Sequence, residues 1–397
     1  MGRTPQVGTP AGMRELNQRA VLDRLRDHGP ATRPQVAKDT GLSKPTVGQA
    51  LLDLERRELV REIGRTSTGP GRSAVVYEEN PAAGFVLGVD IGGERIRLEV
   101  ADLAGTVVSR VDERNRCRSA RSLVQMVREL ADQTVAAAGI TFGEVVAKVV
   151  GSPGVPDPRT GALRHAANLP GWGRRGLLEE LGHALGPGLV VENDANLAAV
   201  GEQTAGAAQG VDTFVCITVG TGIGMGIVFN GQLFRGAHGA AGEIAFLPYG
   251  WPPKDDDVPP EEGMLENEVS GHSVVQKAHN QGLTDVRSAK EVFELARQGD
   301  RVAVRAVTEE ARQLAFVVGA VAAVIDPELV VLGGGIGSNT DLMAEPLEAA
   351  LRATTPLRPK IVAGELGDAA VLTGAISVGL GAAREVVFDR ALELKTS

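Results

Sequence analysis

The chain has 397 residues, more than one hydrophobic core usually holds, so we expect two or three domains. Its longest apolar run, residues 314–325, is too short for a membrane span of about 20 residues and predicts a buried helix instead. No apolar segment opens the chain, and two cysteines are too few for a disulfide framework. These features predict a cytoplasmic protein with no membrane partner.

Charge is distributed unevenly along the chain. The first 80 residues carry 13 basic and 10 acidic side chains, a net charge of +3, whereas the remainder carries 28 and 40, a net charge of −12. A slightly basic module joined to an acidic body indicates an anionic partner for the first 80 residues.

The first 80 residues contain three helical patterns in quick succession. Apolar residues recur at helical spacing in RELNQRAVLDRLRDHG, and ATRPQVAKDTGL has Thr32 as a plausible N-cap and Gly41 as a left-handed stop. The third pattern, SKPTVGQALLDLERREL, begins at a cap formed by Ser43. Helix, short turn and helix in this order predict a helix-turn-helix.

The start of the third helix carries polar groups able to contact DNA: Ser43, Lys44, Thr46 and Gln49. The next segment, LVREIGRTSTGPGRSAVVYE, predicts two strands around a glycine-rich tip, a wing from which Arg72 can reach a phosphate or the minor groove. The alternative is a helical adaptor that binds protein. Winged helices usually act as dimers on two half-sites, so we expect a homodimer or homotetramer on double-stranded operator DNA.

From residue 85 onward, β-branched runs alternate with helical patterns, which predicts an α/β body. Residues 88–105, GVDIGGERIRLEVADLAG, predict a hairpin turned on glycines, and FVCITVGTGIGMGIVFNGQLF repeats that pattern roughly 130 residues later. VVLGGGIGS adds a third glycine turn. The duplication indicates two like halves with a ligand cleft between them. Each glycine turn alone is equally compatible with a hairpin that binds nothing.

The turns offer candidate nucleotide contacts, since glycine lets the backbone approach a phosphate closely. The candidates, active or vestigial, are Asp90, Gly92, Gly220, Thr221, Gly222 and Gly334.

Taken with the winged helix, the motifs GVDIGG, GSPG, NLPGW, ENDAN, TVGTGIG, AGEI, LENEVSG and VLGGGIG resemble the ROK family of bacterial sugar kinases and sugar-responsive repressors. The resemblance implies an actin-like, ribonuclease-H-like body of ATPase type in two subdomains, residues 81–194 and 195–397, behind a DNA-binding domain of residues 1–80. Whether the C-terminal helix packs back on the first subdomain stays open. The winged helix resembles the repressor branch, because the kinases lack it.

The resemblance also implies a sugar site. In the family the ENDAN stretch supplies the catalytic base and a sugar contact, places occupied here by Asp194 and Asn193. Asn168, Glu243 and Glu266 also correspond to sugar ligands of the family. Carboxylate and amide groups together suit a polyhydroxylated ligand, a sugar or a sugar phosphate. The alternative is that these residues are helix caps and turn formers, which applies best to Asn193.

The segment after Glu243 departs from the family pattern. The family has a histidine three residues on and then a cysteine run that binds zinc, whereas this chain has Phe246, no cysteine in the segment that follows, and Met264 where the last zinc cysteine would stand. We therefore expect no zinc, and we expect the proline-rich loop and apolar contacts from Phe246 and Tyr249 to hold the site instead. The three aspartates at 255–257 favour a solvated charge run over a cation site.

The first glycine loop departs as well. The kinase loop resembles DIGGTK, whose Thr and Lys would face the ATP phosphates, but here Glu94 and Arg95 stand in those places. Arg95 keeps the charge but is expected to point onto the following strand, and Glu94 adds a like charge beside a triphosphate. A unit pair at 4 Å costs about 4 kcal/mol at an effective dielectric of 20. Magnesium on Asp90 could offset part of this, so the loop is impaired rather than deleted.

We therefore predict a DNA-binding transcriptional regulator, most simply a repressor, that is controlled by a sugar or sugar derivative and requires no cofactor. The alternative is a Mg-ATP-dependent sugar kinase with Asp194 as base. A third hypothesis is that the body binds a sugar-transport protein instead of a sugar.

Overall fold

The computed structural model describes residues 9–67, 73–157, 159–166, 169–249 and 263–393. Arg72, Asn168 and the aspartates at 255–257 lie outside the described residues, so the roles predicted for them stay predictions.

The N-terminal module is a winged helix. Its elements are α1 (Pro10–His28), β1 (Ala31–Thr32), α2 (Arg33–Thr40), α3 (Lys44–Glu55), β2 (Val60–Ser67) and β3 (Ser73–Glu79). The caps are as predicted: Thr32 forms a capping box with Gln35, Gly41 ends α2 at φ +72°, and the Ser43 side chain accepts from the Thr46 amide. β2 and β3 form the antiparallel pair expected of a wing.

Two lobes follow. The first contains β4 (Phe85–Ile91), β5 (Arg95–Asp102), β6 (Val107–Arg114), α4 (Ala120–Ala137), β7 (Val145–Ser152), β8 (Val155–Asp157), β9 (Ala162–Arg164), α5 (Leu177–Leu185), β10 (Leu189–Asn193) and α6 (Asp194–Ala205). The second contains β11 (Phe214–Val219), β12 (Ile223–Phe229), β13 (Gln232–Leu233), α7 (Met264–Glu268), α8 (Gly271–Asn280), α9 (Ala289–Arg297), α10 (Arg301–Ile325), β14 (Leu329–Gly333), α11 (Gly334–Gly337), α12 (Thr340–Thr354) and β15 (Lys360–Ala363). The last element of the described residues is α13 (Ala370–Glu393).

The two lobes share one topology. In the described residues each holds a five-stranded sheet, ordered β10-β7-β4-β5-β6 in the first and β13-β12-β11-β14-β15 in the second. In both sheets the first strand of the glycine hairpin pairs antiparallel with the second and parallel with the strand that comes fourth in sequence. The duplication predicted from the two hairpins is therefore confirmed. The apolar run at 314–325 lies in α10, where Leu314 and Val318 are fully buried, as expected.

The C-terminal helix α13 packs back on the first lobe. Its residues Ile376, Ala383 and Val387 belong to one apolar cluster with Val86 of β4 and Val146 of β7. Length and composition alone would let this helix cross a membrane, but a buried core helix passes the same test. Its packing against α6 and the first sheet identifies it as a core helix of this fold.

Glycines let α13 cross α6 at very short range. A Cβ on Gly374 would lie 1.9 Å from the carbonyl oxygen of Leu197, and a Cβ on Gly201 would lie 2.2 Å from the carbonyl oxygen of Ala370. We expect Gly374→Ala to lower the free energy of unfolding by about 1–3 kcal/mol, because the backbones must separate. The matched control is Gly381→Ala in the same helix, where nothing lies within 4 Å and better helix propensity should stabilise slightly. Urea unfolding compares the two, and equal stability of both variants would contradict the packing described.

Candidate functional site

A cavity of about 230 Å³ lies between the two lobes. Its walls include the glycine turns of both hairpins and the four predicted sugar residues that the structure describes: Asn193, Asp194, Glu243 and Glu266. The structure thus brings together residues that are up to 73 positions apart in the sequence.

The junction of β10 and α6 places Asp194 in this cavity. Asn193 is the N-cap of α6: its side-chain oxygen accepts from the Asn196 amide at 3.1 Å, and its Nδ2 donates to the Gly154 carbonyl at 3.4 Å. The capping role considered for Asn193 is therefore confirmed, although the residue also lines the cavity. Asp194 accepts from the Ala195 amide at 2.8 Å, and burial raises the pKa of its carboxyl group.

Glu243 reaches the cavity because a glycine precedes it. Gly242 has φ +93°, and a Cβ there would lie 2.0 Å from the Met225 carbonyl oxygen. Burial, together with repulsion from Asp194 and Glu266, raises the pKa of Glu243 to about 7. A ligand that donates hydrogen bonds to this carboxylate cluster would relieve the repulsion.

The raised pKa of Glu243 predicts a pH-dependent stability. Below its ordinary pKa of 4.5 the group is protonated in both states, whereas between pH 4.5 and about 7 the unfolded chain gives up the proton more readily than the fold, so the protein loses stability as the pH rises. Glu243→Gln should therefore be more stable than the parent at pH 8, by about 1–3 kcal/mol after allowing for solvent in the cavity, and equally stable at pH 4. Calorimetric melting at both pH values tests this, and an equal effect at pH 4 and pH 8 would contradict it.

The predicted apolar contacts form, and one of them involves a residue that sequence reasoning missed. Phe246 packs on His165 with ring centroids 4.7 Å apart, and Tyr249 packs edge-on against Phe316 at 5.3 Å. His165 lines the cavity at a positive φ of 59°, and burial lowers its pKa. His165 begins the segment HAANLPGW, three residues before Asn168, and this closeness to a predicted sugar ligand is the sequence feature that could have indicated its role.

The residues at this site do not fit the zinc of the family. Phe246 provides no ligand, and within the part of the chain that the structure describes no group of three or more His, Cys, Asp or Glu side chains is placed to hold a metal. Cys216 is buried in β11, and the Cys117 sulfur contacts that of Met126 at 3.6 Å.

All the nucleotide candidates except Asp90 line the cavity between the lobes, and two of them also line a second cavity. Gly92, Gly220, Thr221, Gly222 and Gly334 line the first cavity. Gly220 and Thr221 also line an adjoining cavity of about 850 Å³, and Glu94 lies in its wall. The acidic side chain therefore faces the space beside the glycine turns, as the sequence suggested.

Arg95 and Asp90 of the first hairpin are each paired with another residue of the protein. Arg95 donates from Nε to the Asp112 carboxylate on β6 at 2.6 Å, so it points onto the following strand as expected. Asp90 pairs with Arg97 of β5, a residue that the sequence analysis did not single out. Burial, with a further contribution from Asp194, raises the pKa of Asp90 to about 7, although Arg97 opposes the shift.

The predicted DNA face lies on one exposed end of α3. Ser43 and Thr46 are hydrogen-bonded to each other at 2.7 Å, and Gln49 donates to Asp53 at 3.1 Å, whereas Lys44 is exposed at the first turn. Arg33, which sequence reasoning missed, lies at the start of α2. Nη1 of its guanidinium lies 3.1 Å from the position that a Cβ on Gly48 would take. Arg33 therefore places a second positive charge, beside that of Lys44, next to α3.

The winged helix is joined to the body through α13. Arg19 of α1 donates to both carboxylate oxygens of Glu385 at 2.7 Å, and its guanidinium lies 4.6 Å from the centre of the Phe388 ring. Since α13 also crosses α6, and α6 begins at Asp194, packed helices connect the cavity with the DNA-binding module.

The topology defines a two-lobed protein of actin-like ATPase fold that carries an N-terminal winged helix. A family model described as "ROK family" matches residues 86–380, and the chain belongs to that family.

Three relatives cover different shares of the chain. The xylose repressor of Caldicellulosiruptor bescii is 26% identical over 391 residues, which are 94% of this chain and 97% of the relative. A ROK family transcriptional regulator, a homologue of the E. coli Mlc protein, superposes with a TM-score of 0.75 at 20% identity over 96% of this chain and 99% of its own. A Streptomyces griseus glucokinase, solved with glucose and AMPPNP, has a TM-score of 0.63 at 30% identity over 75% of this chain and 99% of its own.

Proposed function

We propose that this protein is a DNA-binding transcriptional regulator, acting as a repressor, whose operator affinity is set by a sugar or sugar derivative in the cavity between the lobes. The share of the chain that each relative covers supports this function. The xylose repressor aligns along nearly the whole chain, whereas the glucokinase spans 75% of it, and the matched family range begins after the winged helix.

The observation that carries the proposal is the helical connection from cavity to DNA-binding module. Asp194 begins α6, α6 crosses α13 at glycine contacts, and α13 holds α1 through Glu385 and Phe388. Sugar binding would draw the lobes together around Asp194 and Glu243. Because α13 packs on the first lobe and on α1, that movement would change the orientation of the winged helix and hence the operator affinity.

The proposal includes the partners and the setting. Winged helices commonly read two half-sites as dimers, so the functional unit is a homodimer or homotetramer on double-stranded DNA in the cytoplasm. Neither zinc nor another cofactor is required.

Sugar kinase activity is the second candidate, because Asp194 and the glycine turns remain at the cavity. Glu94 in the adjoining cavity and the internal pairing of Arg95 weigh against it. ADP release over a sugar panel with Mg²⁺ separates the two functions: turnover that Asp194→Asn abolishes would establish the kinase.

The regulator is tested in two steps. A thermal-shift screen over monosaccharides, amino sugars and their 6-phosphates identifies ligands, since binding to the native state raises the melting temperature. The operator is identified first, as a DNA sequence upstream of neighbouring genes that the protein binds. Fluorescence anisotropy then measures the affinity of the protein for this operator with and without each ligand. We expect one sugar class to change that affinity at least tenfold. A ligand that stabilises the protein without changing operator affinity would contradict the proposal.

A further inference from the structure

Arg97 forms the centre of a charged cluster at the first glycine hairpin. Its Nη1 lies 3.2 Å from Oδ2 of Asp90 and its Nη2 lies 3.0 Å from Oδ2 of Asp368, while its Nε is 3.7 Å from Oδ2 of Asp112. The three carboxylates come from β4, β6 and the turn before α13. One arginine therefore joins the hairpin to the start of the C-terminal helix.

Asp90 is the member of this cluster that matters for nucleotide chemistry. It is 7% exposed and lies on β4 directly before the glycine turn, opposite Arg97 in the β4–β5 register. A buried carboxylate at this point is the group that could hold a divalent cation accompanying a nucleotide phosphate. In this chain Arg97 already contacts it.

The residues present do not fit such a cation. A divalent ion bound to Asp90 would stand beside the guanidinium that contacts the same carboxylate at 3.2 Å, and like charges at such short range repel strongly where water screens them little. The guanidinium cannot relieve the repulsion by losing its proton, because arginine stays charged in proteins. It also cannot swing away freely, since Asp112 and Asp368 hold its other nitrogens.

We propose that Arg97 is a built-in counter-ion of Asp90 that excludes a divalent cation from the glycine hairpin, and that it is thereby a specificity-determining residue separating this chain from phosphoryl transfer. This role of Arg97 rests on the proposed function, because it explains why the protein acts as a regulator rather than a kinase. The residues involved, Arg97 and Asp90, are not among the predicted sugar ligands.

Mn²⁺ binding to the full-length protein provides the test. Electron paramagnetic resonance measures the concentration of free Mn²⁺ in each titration. We expect no Asp90-dependent Mn²⁺ site in the parent protein. Arg97→Ala should bind Mn²⁺ at least tenfold more tightly, because Asp90 then loses the guanidinium that contacts it at 3.2 Å, and Asp90→Asn in that background should abolish the gain. The matched control is Arg95→Ala, which removes the same charge from the same strand but has its hydrogen bonds on Asp112.

Several results would overturn the inference: Mn²⁺ binding by the parent that Asp90→Asn removes, no gain in Arg97→Ala, or an equal gain in Arg95→Ala. Circular dichroism establishes that each variant is folded, and Arg97→Gln, which keeps much of the side chain, replaces the alanine variant if that one does not fold. Operator titration of the same proteins keeps the two proposals apart. A parent protein that ignores every sugar while Arg97→Ala gains Mn²⁺ would refute the regulator and leave the role of Arg97 intact.

Discussion

Replacing Asp194 by asparagine is expected to weaken the sugar response of this protein strongly while leaving operator binding in place. The carboxylate lies in the cavity wall at the first residue of α6 and accepts hydrogen bonds from ligand hydroxyls more strongly than an amide would. A hydrogen bond to a charged group contributes about 1.5–3 kcal/mol, so sugar affinity should fall roughly 10- to 150-fold. Calorimetric titration with the sugar found in the thermal-shift screen measures this loss.

The same substitution should not harm the fold. Burial already raises the pKa of Asp194, so removing the charge relieves a desolvation cost, and we expect a melting temperature equal to or above that of the parent. Asp132→Asn, on the exposed face of α4, is the control for the chemical change and should leave sugar affinity unaltered. Undiminished sugar affinity in Asp194→Asn would remove Asp194 from the binding site.

Reversing the charge at Lys44 is expected to cost the protein about 100-fold in operator affinity. Lys44 is exposed at the first turn of α3, the proposed recognition helix, and the N-terminal residues of such helices contact base edges. Losing one good contact costs about 1–3 kcal/mol, and the glutamate adds repulsion from the DNA backbone. The dependence of affinity on salt should also become shallower, since fewer counterions are released. Anisotropy titrations at several salt concentrations measure both effects.

Arg56→Glu provides the matched control for Lys44→Glu. It makes the same charge change at the opposite end of α3, where the side chain is 65% exposed and pairs with Asp53. Its effect on operator affinity should be several-fold at most, and sugar affinity should be unchanged in both variants. Equal losses in the two variants would indicate only a general electrostatic effect and would contradict the assignment of the DNA face.

The features that the sequence predicted well depend on local signals. Caps and left-handed glycines, such as Ser43 and Gly41, determine helix ends from neighbouring residues, and the two glycine hairpins have the same order of strands because each is a contiguous segment. Family motifs then indicated which polar residues would share the cavity, and the described ones do share it.

The features that were missed depend on contacts between distant residues. The Arg97–Asp368 pair joins positions 271 apart, and the Arg19–Glu385 pair joins positions 366 apart, so neither leaves a pattern in any short segment. The two-residue strand β1 forms only because β3 returns beside it. His165 carries no periodic signal, and its role follows from the packing of Phe246 against its ring.

The central claim is that the cavity around Asp194 and the DNA face of α3 are energetically coupled, and coupling between two binding sites must be reciprocal. Calorimetric titration of the effector sugar into the free protein and into its saturated operator complex tests this most directly. If sugar weakens operator binding by a given factor, the operator must weaken sugar binding by the same factor, and we expect at least tenfold. Identical sugar affinities for the free and the DNA-bound protein would contradict the account.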